Sequence, residues 1–437
     1  MAESSVAIEA TVPAALPSAA ISRDHHLRLM LFGGALLLLV NFAAPMHGLI
    51  GIPVSFFLKN RLHLSANQLA VFNLCVGAPL FVGFLFGFMR DRWSPFRTGD
   101  RGHIVLFGLA TMAIYLTMAF APPSYGALLA CLLLATLAFQ MIASATSGFV
   151  ATIGQREAVA GGMSMVVGVA SSLPLLAAFL LGGYVSGSLE GRADDTAARI
   201  LFLGAATLMG AIALFGALGS KSLFARGAAV PRTTTSWNDF LRLLRHWPVY
   251  PVVLIQLLWQ FAPAQGIVLQ YHMTNTLHAT DAQWGTWNAI FYGAFIPVYL
   301  AYGFLCRRVR LRWLLWVGFT IAVAQMVPLL FIKSAVGALW AALPMGLLGG
   351  LGQAALVDLT IRSAPKGLQG TLIMLFLACF WISTRFGDVF GTWLYDQHGG
   401  FVTAVVATIV VYALILPVLL LVPGRLTATA DGERPPE

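Results

Sequence analysis

Long apolar stretches alternate with short polar gaps along this chain, at 29–57, 68–89, 104–121, 126–152, 159–186, 200–220, 250–273, 284–306, 313–332, 336–361, 368–395 and 401–422. Crossing the hydrocarbon of a bilayer takes about 20 helical residues at roughly 1.5 Å of rise each, and every stretch is near or above that length. Lipid gives the backbone no hydrogen-bond partner, so a spanning segment is either a helix or a strand of a closed barrel. These runs are too long and too continuously apolar for barrel strands. The pattern predicts an all-α integral membrane protein of twelve transmembrane helices, and an even number of crossings puts both termini on one side.

The polar gaps alternate as well. Twenty of the 26 lysines and arginines fall in one alternating set of gaps, five in the other, and one, Arg385, within a span. The excess of basic residues in cytoplasmic loops therefore places both termini in the cytoplasm of a multi-pass protein of the cell or inner membrane. The formal charge of +9 reads as a topology signal, because its residues are spread over short loops instead of one face. Lipid bilayer and a small-molecule solute are the expected partners, with no nucleic acid and no obligate protein partner. Composition agrees: 59% of residues are hydrophobic, 10% are charged and the mean hydropathy is +0.82. Cys75, Cys131, Cys306 and Cys379 lie in or at the ends of spans with no paired spacing, so neither disulfides nor a metal site nor any cofactor is expected.

Residues 1–25 read as a disordered cytoplasmic tail, rich in Ala, Ser and Pro. A cleaved signal peptide competes, since Arg23 and Arg28 precede an apolar run that ends at Ala43 and Ala44. That run is longer than a typical signal core, and cleavage would leave eleven spans. Six-helix bundles are expected at 26–220 and 250–423, joined by a cytoplasmic linker at 221–249 and followed by a cytoplasmic tail at 424–437. Within the linker, Trp237, Phe240, Leu241, Leu244 and Trp247 recur at helical spacing, as in a short helix lying on the membrane surface with Arg242 and Arg245 near lipid phosphates. Glycines hint at a duplicated unit: Gly162 and Gly183 match Gly370 and Gly391 at a constant offset, and Gly87 matches Gly303. Small-xxx-small pairs such as Gly83/Gly87, Gly346/Gly350 and Gly387/Gly391 let helices approach closely.

With the segment Gly87 to His103, GFMRDRWSPFRTGDRGH, the chain resembles the major facilitator superfamily across residues 25–423. Gly87, Asp91 and Arg92 match its Gly-x-x-x-Asp-Arg signature between spans two and three, while Ser94 and Pro95 depart from it. The spacing of Pro79, Gly87, Asp91, Pro95, Gly99 and Arg101, together with Ser363 to Phe376, resembles the folate and biopterin transporter branch. The resemblance implies two pseudo-symmetric six-helix bundles, alternating access and a folate- or pterin-like solute. Asp91 and Arg92 can form a latch between helix ends, made in one state and broken in the other; an ordinary solvated loop is the alternative.

Within the bilayer each charge is costly, by at least about 2.5–3.5 kcal/mol on insertion scales. Arg385 and Asp388 share one helical face in span eleven, placed for an outer gate or an anion contact. Asp358 and Arg362 are spaced for an i,i+4 pair near the inner end of span ten and favour a cytoplasmic gate. Asn41, Gln140, Gln256, Gln260 and Gln353 lie near mid-depth in spans one, four, seven and ten, the spans to which the resemblance assigns cavity lining; Trp259 is beside the pair in span seven, and Pro263 can kink the helix just beyond. No HExxH, phosphate-binding glycine loop or nucleophile set supports an enzyme. A secondary transporter of a small organic solute by alternating access is the favoured function, and a non-transporting assembly or pigment-handling factor the alternative. The absence of a central carboxylate among the spans argues against proton coupling through one and leaves facilitated diffusion or exchange open.

Overall fold

A computed structural model describes residues 23–433 apart from 47, 61, 65, 191–193, 228–240 and 242. We number twelve helical units. In the first half these are α1 (Arg23–Phe42, resumed at Gly51–Asn60), α2 (Ala66–Phe81 and Gly83–Arg92), α3 (Asp100–Phe120), α4 (Tyr125–Arg156), α5 (Ala160–Glu190) and α6 (Asp194–Leu218). In the second half they are α7 (Val249–Gln260, resumed at Ile267–Tyr271), α8 (Asp281–Leu305), α9 (Leu311–Val323, then the tight turns Ala324–Phe331), α10 (Ala335–Ser363), α11 (Gln369–Gln397) and α12 (Gly400–Ala413 with Ile415–Leu419). Ten units are long and apolar enough to cross a bilayer. The other two, α1 and α7, open the two halves and are each broken: α1 where the apolar pattern predicts an uninterrupted span, and α7 at Pro263, where a kink is expected.

The breaks have a local cause. Pro45 and Pro263 lack an N–H and disfavour helix at the preceding residue, and each is followed within three residues by glycine. Gly266 has a φ of +59°, a left-handed conformation that suits glycine. The two breaks carry related sequences, Phe42-Ala43-Ala44-Pro45 before Gly48 and Phe261-Ala262-Pro263 before Gly266. A second repeat follows each: Leu62-His63-x-Ser65-x-x-Gln68 and Leu277-His278-x-Thr280-x-x-Gln283. Both histidines adopt positive φ, 50° and 52°, and Thr280 and Gln283 form a reciprocal cap at the start of α8.

Burial separates the halves into two cores. One apolar cluster runs from Leu29 to Phe224 with Ile361 added; the other runs from Val252 to Leu419. The bundles meet along α2 against α11 and α5 against α8. Glycines set these approaches: a Cβ on Gly87 would stand 2.5 Å from the Gly370 carbonyl oxygen, and one on Gly168 2.5 Å from the Tyr299 ring. Of the linker stripe, Trp237, Phe240 and Arg242 lie outside the described residues. Leu243 docks with Val249, Ala364, Leu368 and Leu372, whereas Leu244 and Trp247 are exposed. The side that carries the basic loops is called the basic face below.

Candidate functional site

At the basic face, Asp91 ends α2 at the first residues of α11. Its carboxylate accepts from the Gly370 N–H at 3.2 Å, the Thr371 N–H at 2.7 Å and the Thr371 hydroxyl at 2.7 Å. Because the first N–H groups of a helix have no partner within it and sit at the positive end of its dipole, a carboxylate there is held strongly. Gly87, one turn earlier, allows the backbones to meet. Arg90 completes the cluster: it donates to Asp91 at 2.8 Å and to both oxygens of Asp100 at 2.6 and 2.5 Å, with the Arg90 and Asp91 side chains almost wholly buried. The sequence reading named Arg92 for this role. Arg92 lies over the Phe88 ring at 5.3 Å, and its neighbour Arg90, not singled out from the sequence, joins the two carboxylates. Asp100, nine residues beyond Asp91 at the start of α3, was the signal for that partner.

Asp358 and Arg362 pair on α10 at 2.7 Å, and the Tyr302 hydroxyl of α8 donates to Asp358 at 2.7 Å. Gln155 of α4 donates to the carbonyls of Ile361 and Ala364 at 2.7 Å, and Gln369 returns a bond to Gln155 at 2.9 Å. This face is thus sealed by bonds between the bundles.

Two cavities lie above the seal, toward the opposite face. The deeper, of about 310 Å³, is lined by Asn41, Gln256, Gln353, Phe376, Trp381 and neighbours; the second, of about 330 Å³, by Trp259, Gln260, Gln265, Tyr292, Gln325, Asp388, Tyr412 and neighbours. Ser171, Gln353 and Phe380 line both. Asp388 lies about 28 Å along α11 from Gln369 at 1.5 Å per residue, toward the opposite face.

Polar groups in these walls are partly committed. Asn41 donates to the Leu37 and Ala170 carbonyls at 3.0 and 3.1 Å, and the Trp259 indole donates to Gln353 at 2.5 Å while stacking on Tyr412 at 4.7 Å. Gln256 and Gln325, each 1% exposed, have side-chain oxygens with no hydrogen-bond partner among the described residues. A buried acceptor without a donor is costly, and neither oxygen has surface open to the cavity beside it in this state.

Three sequence expectations are placed elsewhere. Gln140 is buried and donates to the Pro79 carbonyl at 3.1 Å, pinning α4 to the proline of α2; it lines neither cavity. Arg385 also lines neither: its side chain is 55% exposed and reaches Asp388 at 3.2 Å from outside. Asp388, expected as a gate beside it, is a cavity-wall residue that also accepts from the Ile267 N–H where α7 resumes. The unwound backbone of α7 rests on α11 here. A Cβ on Gly387 would be 3.1 Å from the Ala262 nitrogen, and one on Gly391 would collide with the Pro263 carbonyl oxygen. The Gly387/Gly391 pair therefore serves a broken helix instead of a continuous one. Among the described residues no lysine or arginine lines either cavity.

No protein-family model matches the chain, and no match was found among curated proteins. Solved structures do match its fold. A major facilitator superfamily transporter, FucP, in the outward conformation superposes with a TM-score of 0.66 at 13% identity, covering 91% of this chain and all of that one. A bacterial homologue of the iron transporter ferroportin in an outward-facing state superposes with a TM-score of 0.63 at 15% identity, covering 90% of this chain and 98% of that one. The likeness extends over whole chains and shows the fold these structures share: two six-helix bundles of a multi-pass membrane protein.

Proposed function

We propose that this chain is a secondary transporter that moves a small organic solute by alternating access, with its basic face in the cytoplasm and its outward-facing state described above. One observation carries the reading: amide- and aromatic-lined cavities at the bundle interface, sealed at the basic face by bonds that cross between the halves. An alternating-access cycle needs those bonds to break and an opposite seal to form. The distribution of basic loops supports the orientation, and the outward states of FucP and the ferroportin homologue support the assignment of conformation.

The solute class follows from the walls. Stacked aromatic rings favour a planar ring, and the amide residues Gln256, Gln260 and Gln353 in the walls favour one that can hydrogen-bond to them. A pterin has both properties. A folate adds a carboxylated tail, which would enter cavities whose charged lining residue is Asp388, of its own sign. Neutral pterins are therefore the better fit within the folate and pterin class.

Uptake of labelled pterins, folates, nucleosides and sugars into proteoliposomes tests this directly. A pterin should stabilise the purified protein, by about 2.7 kcal/mol at 100 times its dissociation constant. Gln256→Ala should weaken that ligand by more than Gln140→Ala does. Failure of every solute to enter, with the protein correctly folded, would favour the non-transporting assembly role instead.

A further inference from the structure

The two halves of a duplicated transporter should close the basic face in equivalent ways, yet their sequences differ where closure is made. Gly87-x-x-x-Asp91 at the end of α2 corresponds to Gly303-x-x-x-Arg307 at the end of α8, so the second half has an arginine where the first has its helix-capping carboxylate. The N-terminus that this missing carboxylate would hold belongs to α5. It begins after a left-handed residue, Ala158 (φ +53°), just as α11 begins after Gly367 (φ +77°).

That N-terminus is nonetheless occupied. The Gly161 N–H donates to Oδ1 of Asp431 and the Gly162 N–H to Oδ2, both at 3.0 Å. Asp91 takes the Gly370 N–H on Oδ1 and the Thr371 N–H on Oδ2. These are the same two positions of the helix first turn, held by the same two-oxygen grip. Asp431, however, lies in the chain's terminal segment beyond α12. Its side chain is only 2% exposed, and the segment around it is tied to both bundles: the Gly432 N–H donates to the Ala158 carbonyl at 2.7 Å, the Asp431 N–H to the Cys306 carbonyl at 2.8 Å, and Arg362 to the Thr429 carbonyl at 3.0 Å.

We propose that Asp431 is the second gate carboxylate of the transport cycle, supplied by the C-terminal segment in place of the residue that α8 lacks. The segment spans the seam between α5 and the α8–α9 turn, so the bundles cannot part at this face until Asp431 leaves the α5 N-terminus. A residue outside the twelve helices thereby becomes a positioning residue for the closed state. The inference rests on the alternating-access reading, and its test needs no substrate.

Spin labels on cysteines placed at Phe96 and Arg308, both exposed on the basic face in opposite halves, report whether the face is closed, with exposed Cys75 replaced by Ser. The wild-type protein should give mainly a short distance, with a minor longer one. Asp431→Asn, which sets an amide NH2 against a helix N–H that needs an acceptor, and a chain ending at Leu426 should each enlarge the longer one, raising the open-to-closed ratio by about ten-fold. Asp91→Asn should do the same from the other seam. If the shortened chain fails to fold, Asp431→Asn decides alone. An unchanged distance distribution in folded Asp431→Asn overturns the proposal. Distances that shift in a protein that transports nothing would leave the gate intact and remove only the transport reading.

Discussion

The seam of α2 with α11 and the seam of α5 with α8 perform the same closure with different materials. In the first, everything needed is built into helix ends: Asp91, its anchor Arg90, and Asp100 at the start of α3. In the second, the arginine side is Arg362, paired within its own helix to Asp358, and the capping carboxylate is borrowed from the chain terminus. The contrast teaches that duplication conserves the geometry a helix N-terminus demands more strictly than the position in sequence of the group that meets the demand. It also makes the seams unequal. The first is a rigid, wholly buried network, and the second depends on a segment that can leave.

The largest expected difference lies in the arginines. Arg90→Met would strand two buried carboxylates, and removing one partner of a buried pair costs about 3–5 kcal/mol. Arg362→Met should cost less, because its side chain is already 13% exposed and Asp358 keeps the Tyr302 hydroxyl as a donor. Thermal unfolding in detergent ranks the two. Adding Asp100→Asn to Arg90→Met should recover part of the loss; equal losses at Arg90 and Arg362 would erase the distinction between the seams.

A smaller difference is expected at the matching glycines. Gly87→Ala forces a methyl against the backbone of Gly370 and Thr371, which cannot yield without moving α11, so a cost of about 1–3 kcal/mol is expected with a wider α2–α11 spacing. Gly303→Ala meets the Met165 thioether, a flexible side chain able to turn aside, and should cost less than about 1 kcal/mol. If Gly303→Ala proved the worse of the two, the α5–α8 seam would be the rigid one.

Much of this was open to reading in the sequence, for reasons that can be named. Hydropathy fixes helices strongly where water is absent, so twelve units and their order follow from apolar length alone. The break of α1 escaped that reading because Phe, Ala and Pro leave hydropathy high while ending a helix, whereas in α7 Pro263 marked a kink but not the length of the interruption. The repeated Phe-Ala-Pro segments before Gly48 and Gly266 held the signal. Among the amides, Asn41, Gln256 and Gln353 share a cavity wall, but Gln140, at similar depth, turns into its own bundle. Depth along a helix is visible in a sequence, and the direction of a side chain around the axis is not when every face is apolar. Asp431 could have been found only by noticing an absence, Arg307 in place of an acid, and then asking what else could reach the α5 N-terminus.

The finest test separates the seams by pH. Burial first, and then the Asp358 carboxylate, push Asp431 up to about 6, while the Gly161 and Gly162 N–H groups and Arg362 pull it down; Cys306 also faces it, with its sulfur 3.8 Å away. Once the segment leaves the seam, the carboxyl should return to an ordinary value near 3.8. The closed face therefore binds a proton more readily than the open one between about pH 4 and 6. Acid should favour closure in that window, and the contribution is lost as pH rises through about 6. Moving from pH 7.5 to 5 should raise the short-distance fraction between spin labels at Phe96 and Arg308 in the wild-type protein. Asp431→Asn has no proton to exchange there and should respond more weakly. An acid-induced opening, or an equal response in both proteins, would mean that Asp431 does not set the pH dependence of this seam.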